Sequence, residues 1–350
     1  MKPFVLQSTS PRRFLGIFIH PVDIQSAGMD AVFDRLADVG ANAICITPKI
    51  AVETSNENGV RFPPLHMDGY SRVLDRPIWG KRELYLKFFT CFSPNERLYG
   101  ASRYKPAKQS LPSELDSSLP ARIIQEAHRR GLQAHMLIQP FIPPKVFHED
   151  RPVYVDGSHP QPPQVAFYAC LNSPDARAYA LAQALDTVRN YPEVDGLFTD
   201  WAEYGAYRFE DLFACFCPHC QSKAADLGFN WETIQSDTFA LWRWLHRLDN
   251  KKISRARRLL HNPLALLDLM TRHPGWSQLN QFKAQSVSSF YRELRDLLDQ
   301  TGFTKIGLSA RGWPPPWNIV SGMDYSMLAG SCSAVTPKLF TFDYAALPRW

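Results

Sequence analysis

Two clusters of side chains in the middle of the chain have the types and spacing that chemistry needs. The first is Asp195-Gly196-Leu197-Phe198-Thr199-Asp200-Trp201-Ala202-Glu203-Tyr204, where a short apolar run ends in two carboxylates and two aromatic rings. Buried parallel strands are short and apolar, and in α/β barrels the polar chemistry collects where such strands end. Asp200 and Glu203 are therefore candidates for carboxylate acid/base work, one group donating a proton while the other acts as base or nucleophile. The second cluster is Cys215-Phe216-Cys217-Pro218-His219-Cys220. Three thiols so close suit three sides of a tetrahedral zinc site better than a disulfide framework, and a fourth ligand must come from elsewhere, with His219 and Cys91 among the candidates. Two plainer readings stand beside these. A strand-end aspartate can simply bond loop amides, and reduced cysteines can pack as small hydrophobes.

Composition narrows the class of protein. A length of 350 residues with 45% hydrophobic content suits one large α/β domain, and 28 prolines with 13% aromatics suggest long ordered loops around a cleft lined by rings. The net charge of +5 is modest, and one basic run, Asn250 to Arg258, reads as a solvated helix face rather than a nucleic-acid surface. No second Cys or His pair follows the cysteine cluster at finger spacing, which argues against a nucleic-acid zinc finger. No apolar run approaches the about 20 residues of a membrane span, and Met1 to Arg13 lack the apolar core of a secretory signal. With an odd total of seven cysteines, a reducing cytoplasm is the expected location.

The elements that must position the clusters follow from periodicity. Arg13 to Pro21 reads as a buried strand, Ala27 to Val39 as a helix stopped by Gly40, and Asn42 to Pro48 as a second strand, which together make a βαβ unit. Further helix–strand pairs are expected at Pro120–Arg130 with Leu132–Gln139, at Ser173–Asn190 with the Asp195 strand, and at Ala284–Gln300 with Thr304–Ser309. Lys338 to Phe342 reads as a sixth strand. Helix before strand, repeated, is the pattern of a (β/α)8 TIM barrel. Six strands fall short of eight, so either Leu84–Phe92 and another short stretch complete the ring or the barrel is open or incomplete at its C-terminal end; the second option is preferred. An open doubly wound sheet is disfavoured because no glycine-rich phosphate loop follows the first strand. The expected domain organisation is a single unit over residues 1–350, with long loops at 49–119 and 140–172 and a helical insertion at 229–275 after the fourth strand.

At the level of a family, the chain resembles the glycoside hydrolases of barrel fold, and within them proteins related to the family 42 β-galactosidases. The likeness rests on Cys170-Leu171-Asn172-Ser173-Pro174 before a helix, then Val194 to Trp201, then the Cys-x-Cys-x-x-Cys run, with Pro337 to Phe342 similar to a later strand. It implies a glycoside or oligosaccharide substrate, and it points to Cys170 as the fourth metal ligand. The likeness departs from the family pattern at the fourth strand, where Asp200-Trp201-Ala202-Glu203 stands in place of an Asn-Glu pair.

Glycoside hydrolysis needs one carboxylic acid on the leaving oxygen and a second carboxylate as nucleophile or base. Asp200 is assigned the core role and Glu203 the acid/base role, with Asp343, ending strand six, as the alternative partner. Trp201, Tyr204, Tyr207, Trp313 and Trp317 lie past strand ends, where flat rings can stack on sugars, although ordinary core packing explains any one of them equally. Arg311 can clamp a substrate or pair with Asp200. His20 and Gln139 close the first and third strands and face the same hollow. His66 to Tyr70 reads as a cleft-covering loop or a surface turn. A zinc held by Cys170, Cys215, Cys217 and Cys220 would be structural. The rival to a hydrolase is a silent barrel that binds carbohydrate or a protein partner, and homo-oligomerisation stays open.

Overall fold

A computed structural model of the chain describes residues 14–63, 73–107, 111–161, 168–251, 254 and 271–338. Two sheets organise it. The larger has six strands in the order β1-β2-β6-β7-β8-β9, namely Gly16–Phe18, Ala43–Ile46, Gln133–Ile138, Gly196–Thr199, Gly307–Gly312 and Ala334–Pro337, and every neighbouring pair is parallel. The smaller is antiparallel, in the order β3-β5-β4, from Lys49–Thr54, Leu84–Thr90 and Val60–Phe62.

This overturns the expectation of a (β/α)8 TIM barrel: among the described residues the large sheet has six strands and two edges, and no closed ring of eight. Leu84–Thr90, a candidate for completing the ring, instead lies between β3 and β4. The reason is the connection. A parallel neighbour needs a crossover of about a dozen residues. Only Thr47 and Pro48 separate β2 from β3, so the chain turns directly into a second sheet.

The large sheet is curled. Phe18 on β1 and Arg311 on β8 lie four strand positions apart, roughly 19 Å in a flat sheet. Yet the Arg311 guanidinium sits 5.8 Å from the Phe18 ring centroid. Alternation along each strand then defines two faces. Ile44, Ile46, Met136, Ile138, Leu197, Leu308 and Ala310 pack outward with the helices, while Phe18, Cys45, Leu137 and Phe198 form a separate cluster on the concave side.

The helices on the outer face are α1 (Pro21–Ala27), α2 (Met29–Asp38), α3 (Leu119–Arg129), α4 (Pro174–Asn190), α5 (Pro218–Asp226), α6 (Trp231–Leu245) and α7 (Pro274–Gln300), followed by the short α8 (Trp317–Ser321) and α9 (Tyr325–Leu328). Local chemistry sets their ends. The Ser173 hydroxyl accepts the Ala176 N–H at the start of α4, and Gly131 at φ 75° follows α3. Where one helix from Ala27 was expected, Gly28 at φ 86° divides α1 from α2. The long α7 starts at Pro274, inside the segment read as the tail of the helical insertion; α6 is the described helix of that insertion. The basic run 250–258 and the loop 66–70 lie largely or wholly outside the described residues.

Strand β7 delivers the candidate site, and its packing is tight. A Cβ at Gly196 would stand 2.7 Å from both the Gly307 carbonyl oxygen and the His135 ring, so only glycine fits between the neighbouring strands. Thr199 turns outward to the Tyr291 hydroxyl of α7 at 2.5 Å. Asp200, one residue on, therefore faces the concave side.

Candidate functional site

The same alternation places His20, Gln139, Asp200, Arg311 and Lys338 at the ends of β1, β6, β7, β8 and β9, all on the concave face. Their centre is ionic. The Lys338 ammonium donates to Glu203 Oε1 at 2.6 Å and stands 3.1 Å from Asp200 Oδ1. Lys338 and Glu203 are each 1% exposed and Asp200 7%. Arg311 approaches the other side of Asp200, with its guanidinium 3.9 Å from Oδ2.

The two carboxylates are not equivalent. Both Glu203 oxygens are engaged, Oε1 by Lys338 and Oε2 by the Trp313 backbone N–H at 3.2 Å. Gly312 permits this approach, since a Cβ there would lie 3.0 Å from Glu203 Oε2 and 2.5 Å from Met323 Cε. Asp200 Oδ1 is buried and its contact is with the same ammonium, at charge-assisted hydrogen-bond distance. Burial pushes the Glu203 carboxyl above the usual range, and Lys338 only partly offsets it. Burial alone would lower the Lys338 ammonium, but Asp200 and Glu203 together outweigh it and hold the group above its ordinary value.

Aromatic rings close over this cluster. Trp201, Tyr207, Trp313 and Trp317 gather with Ala206 and Val320, and the Trp201 ring centroid lies 4.1 Å from the Lys338 ammonium, a cation–π contact. Trp201 takes a left-handed backbone, φ 64°, uncommon for a bulky residue and seen where surrounding contacts impose it.

The structure separates one expected member, Tyr204, from this group. Tyr204 is fully buried and turns to the cysteines, its hydroxyl accepting from Asn172 Nδ2 at 3.0 Å and lying 3.8 Å from Cys220 Sγ. Gln139 lines a cavity of about 410 Å³ beside the ends of β2 and β6. His20 packs edge-on against Phe18 and Phe62. Asp343 lies outside the described residues. Lys338 was read only as the start of a strand. The signal that marks it is a lone cation in the mostly apolar stretch Val335-Thr336-Pro337-Lys338-Leu339-Phe340, just past the half-buried β9.

The sulfur atoms of Cys170, Cys215, Cys217 and Cys220 all lie within 4.8 Å of one another, and all four residues are buried. Cys170 Sγ stands 3.3 Å from Cys217 Sγ and 3.5 Å from Cys220 Sγ. Four thiolates around a tetrahedral ion with about 2.3 Å bonds would be about 3.8 Å apart, so the set is close to that size and can hold a metal. Backbone N–H groups of Val153 and Asn172 point at Cys215 and Cys170, and Asn172 Nδ2 donates to Cys220, which are partners suited to thiolate charge. The competing ligands are placed elsewhere: His219 pairs with the buried Asp150 at 2.9 Å, and Cys91 is not in the cluster.

Among the described residues no helix is long and apolar enough to cross a membrane. No family profile matches the chain, and no curated protein does. Among solved structures, a β-galactosidase from the psychrophilic Marinomonas ef1 is similar, with a TM-score of 0.47 and 10% identity over 94% of this chain. The chain spans 41% of that enzyme's length.

The site yields two tests. Lys338→Met strands two buried carboxylates and is expected to cost about 3–5 kcal/mol in urea unfolding. Adding Glu203→Gln should recover part of that loss; an additive double mutant would show that the pair is not coupled. The second concerns pH. Burial, and then Arg311, pulls His20 from 6.5 down to about 4, so between those values the unfolded chain binds a proton that the folded one refuses. Stability should therefore fall as the pH drops from 6.5 towards 4, and His20→Asn should flatten that part of the curve.

Proposed function

We propose that the protein is a glycoside hydrolase whose reaction takes place at the C-terminal end of the curled parallel sheet, with Asp200 as the reacting carboxylate. One observation carries the reading: Asp200 leaves β7 on the concave face between two cations, with the Lys338 ammonium 3.1 Å from Oδ1 and the Arg311 guanidinium 3.9 Å from Oδ2. A carboxylate is the group that attacks or steadies the electron-deficient sugar carbon of glycoside hydrolysis, and the two cations fix its position. Trp201 and Trp317 are partly exposed and offer ring faces for a sugar, with Tyr207 and Trp313 buried behind them.

Glu203 is assigned a positioning role. Its raised pKa would suit a proton donor, but both oxygens are committed and the residue is 1% exposed. The second carboxylate of the reaction is assigned to Asp343, five residues beyond Lys338. A second reading has its own support. Asp200 and Glu203 share one ammonium, as they would in a carbohydrate-binding protein without turnover.

The cysteine cluster is proposed to hold one Zn²⁺ through Cys170, Cys215, Cys217 and Cys220. Four protein ligands leave no open position, so the ion would brace the segment after β7 and take no part in the reaction.

A panel of chromogenic aryl glycosides and oligosaccharides, assayed with wild type and Asp200→Asn, tests the hydrolase. Turnover by wild type and a loss of about 10²–10⁴-fold in the variant are expected. Sugar binding by calorimetry without any turnover would replace this reading with the binding protein. For the metal, elemental analysis should find one zinc per chain, and Cys217→Ser should lose it and melt at lower temperature. A purified protein with no bound metal and a melting temperature indifferent to chelators would rule the zinc out.

A further inference from the structure

We propose that the cavity at the ends of β2 and β6 binds a small anionic, hydroxyl-bearing molecule whose carboxylate or phosphate pairs with Lys49. The cavity measures about 410 Å³, within the range of ligand sites and large enough for a monosaccharide. Its lining includes Lys49, Thr90, Tyr99, Gln139, Tyr179 and Gln183, and Lys49 is the one charged side chain among the described lining residues.

Two polar side-chain groups in this lining have no partner among the described residues. Lys49 makes no hydrogen bond or ion pair with any described residue, and burial, unopposed by a carboxylate, lowers its pKa. Gln183 Oε1 is buried without a hydrogen-bond partner. A shielded ammonium without a counter-ion is costly, as is a buried acceptor without a donor. Asp186 does not supply the charge: it accepts the Tyr99 hydroxyl at 3.2 Å and the Asn95 backbone N–H at 3.1 Å, lies outside the lining, and is not a cause of the Lys49 shift. The missing pieces are therefore a negative charge for Lys49 and a hydroxyl donor for Gln183. One molecule carrying both, such as a sugar acid or a sugar phosphate, satisfies the site, with the Tyr99 and Tyr179 rings as apolar walls.

The inference goes beyond the hydrolase reading and does not depend on it. Asp200 is absent from the lining; Gln139, on the neighbouring strand, lies between the two places.

The test is calorimetry on the full chain with D-glucuronate, D-glucose 6-phosphate and D-glucose. Wild type is expected to bind at least one of the two anions at least tenfold more tightly than glucose, and the tighter anion identifies carboxylate or phosphate as the natural group. Lys49→Met should lose at least tenfold in that affinity, while Lys49→Arg keeps part of it. Removing an unpaired shielded charge should leave the Lys49→Met melting temperature equal to or above that of wild type. Asp200→Asn should bind the anion as wild type does, which separates failure here from failure of the hydrolase assignment. Equal binding of glucose and both anions by wild type, or unchanged anion affinity in Lys49→Met, overturns the proposal.

Discussion

One buried ammonium holds the candidate site together. Three ionic groups, Lys338, Asp200 and Glu203, are taken out of water at the tips of β7 and β9, on either side of β8, and each charge is costly there without the others. Their arrangement is more specific than hydrophobic packing. Glu203 is held from two sides, Lys338 is capped by a tryptophan face, and Asp200 stands between Lys338 and Arg311. Net charge in the trio is negative, and Arg311 at 3.9 Å moves the local balance back toward neutrality.

The sheet exists to bring those groups to one end. In a parallel sheet every strand points the same way, so residues just past each strand gather on one rim, and alternation decides which of them look inward. Curling shortens the distance across that rim, and Phe18 and Arg311 meet over four strand positions because of it. The antiparallel sheet is joined to this framework through the short step from β2 to β3, which also brings Lys49 beside the rim.

Much of this was legible from residue order. The apolar runs at Ala43–Ile46, Gln133–Ile138 and Gly196–Thr199 are buried strands, and each is short enough to be recognised by composition alone. Three of the four clustered cysteines were legible too, since Cys215, Cys217 and Cys220 span only six residues, whereas Cys170 lies 45 positions earlier and spacing does not point to it. Closure into a ring was not, because strand count in a barrel depends on shear and tilt that no local window contains. The antiparallel partnership of β5 was hidden for a related reason: its half-buried alternation describes a two-sided environment without naming the neighbour. Lys338 escaped because its partners, Asp200 and Glu203, lie 138 and 135 positions away in the chain. Tyr204 was misplaced by a simpler effect. The chain turns sharply at Trp201, so the period-two rule that held through Asp200 no longer assigns faces beyond it.

Tyr204 has a further importance. Its backbone N–H bonds the Ser321 carbonyl, beside the rings around Lys338, while its hydroxyl meets Asn172 and Cys220. A single rigid phenol thus spans the distance between the thiols and the acidic rim. Whatever shifts the thiols is therefore transmitted through one stiff side chain to the backbone beside the acidic rim.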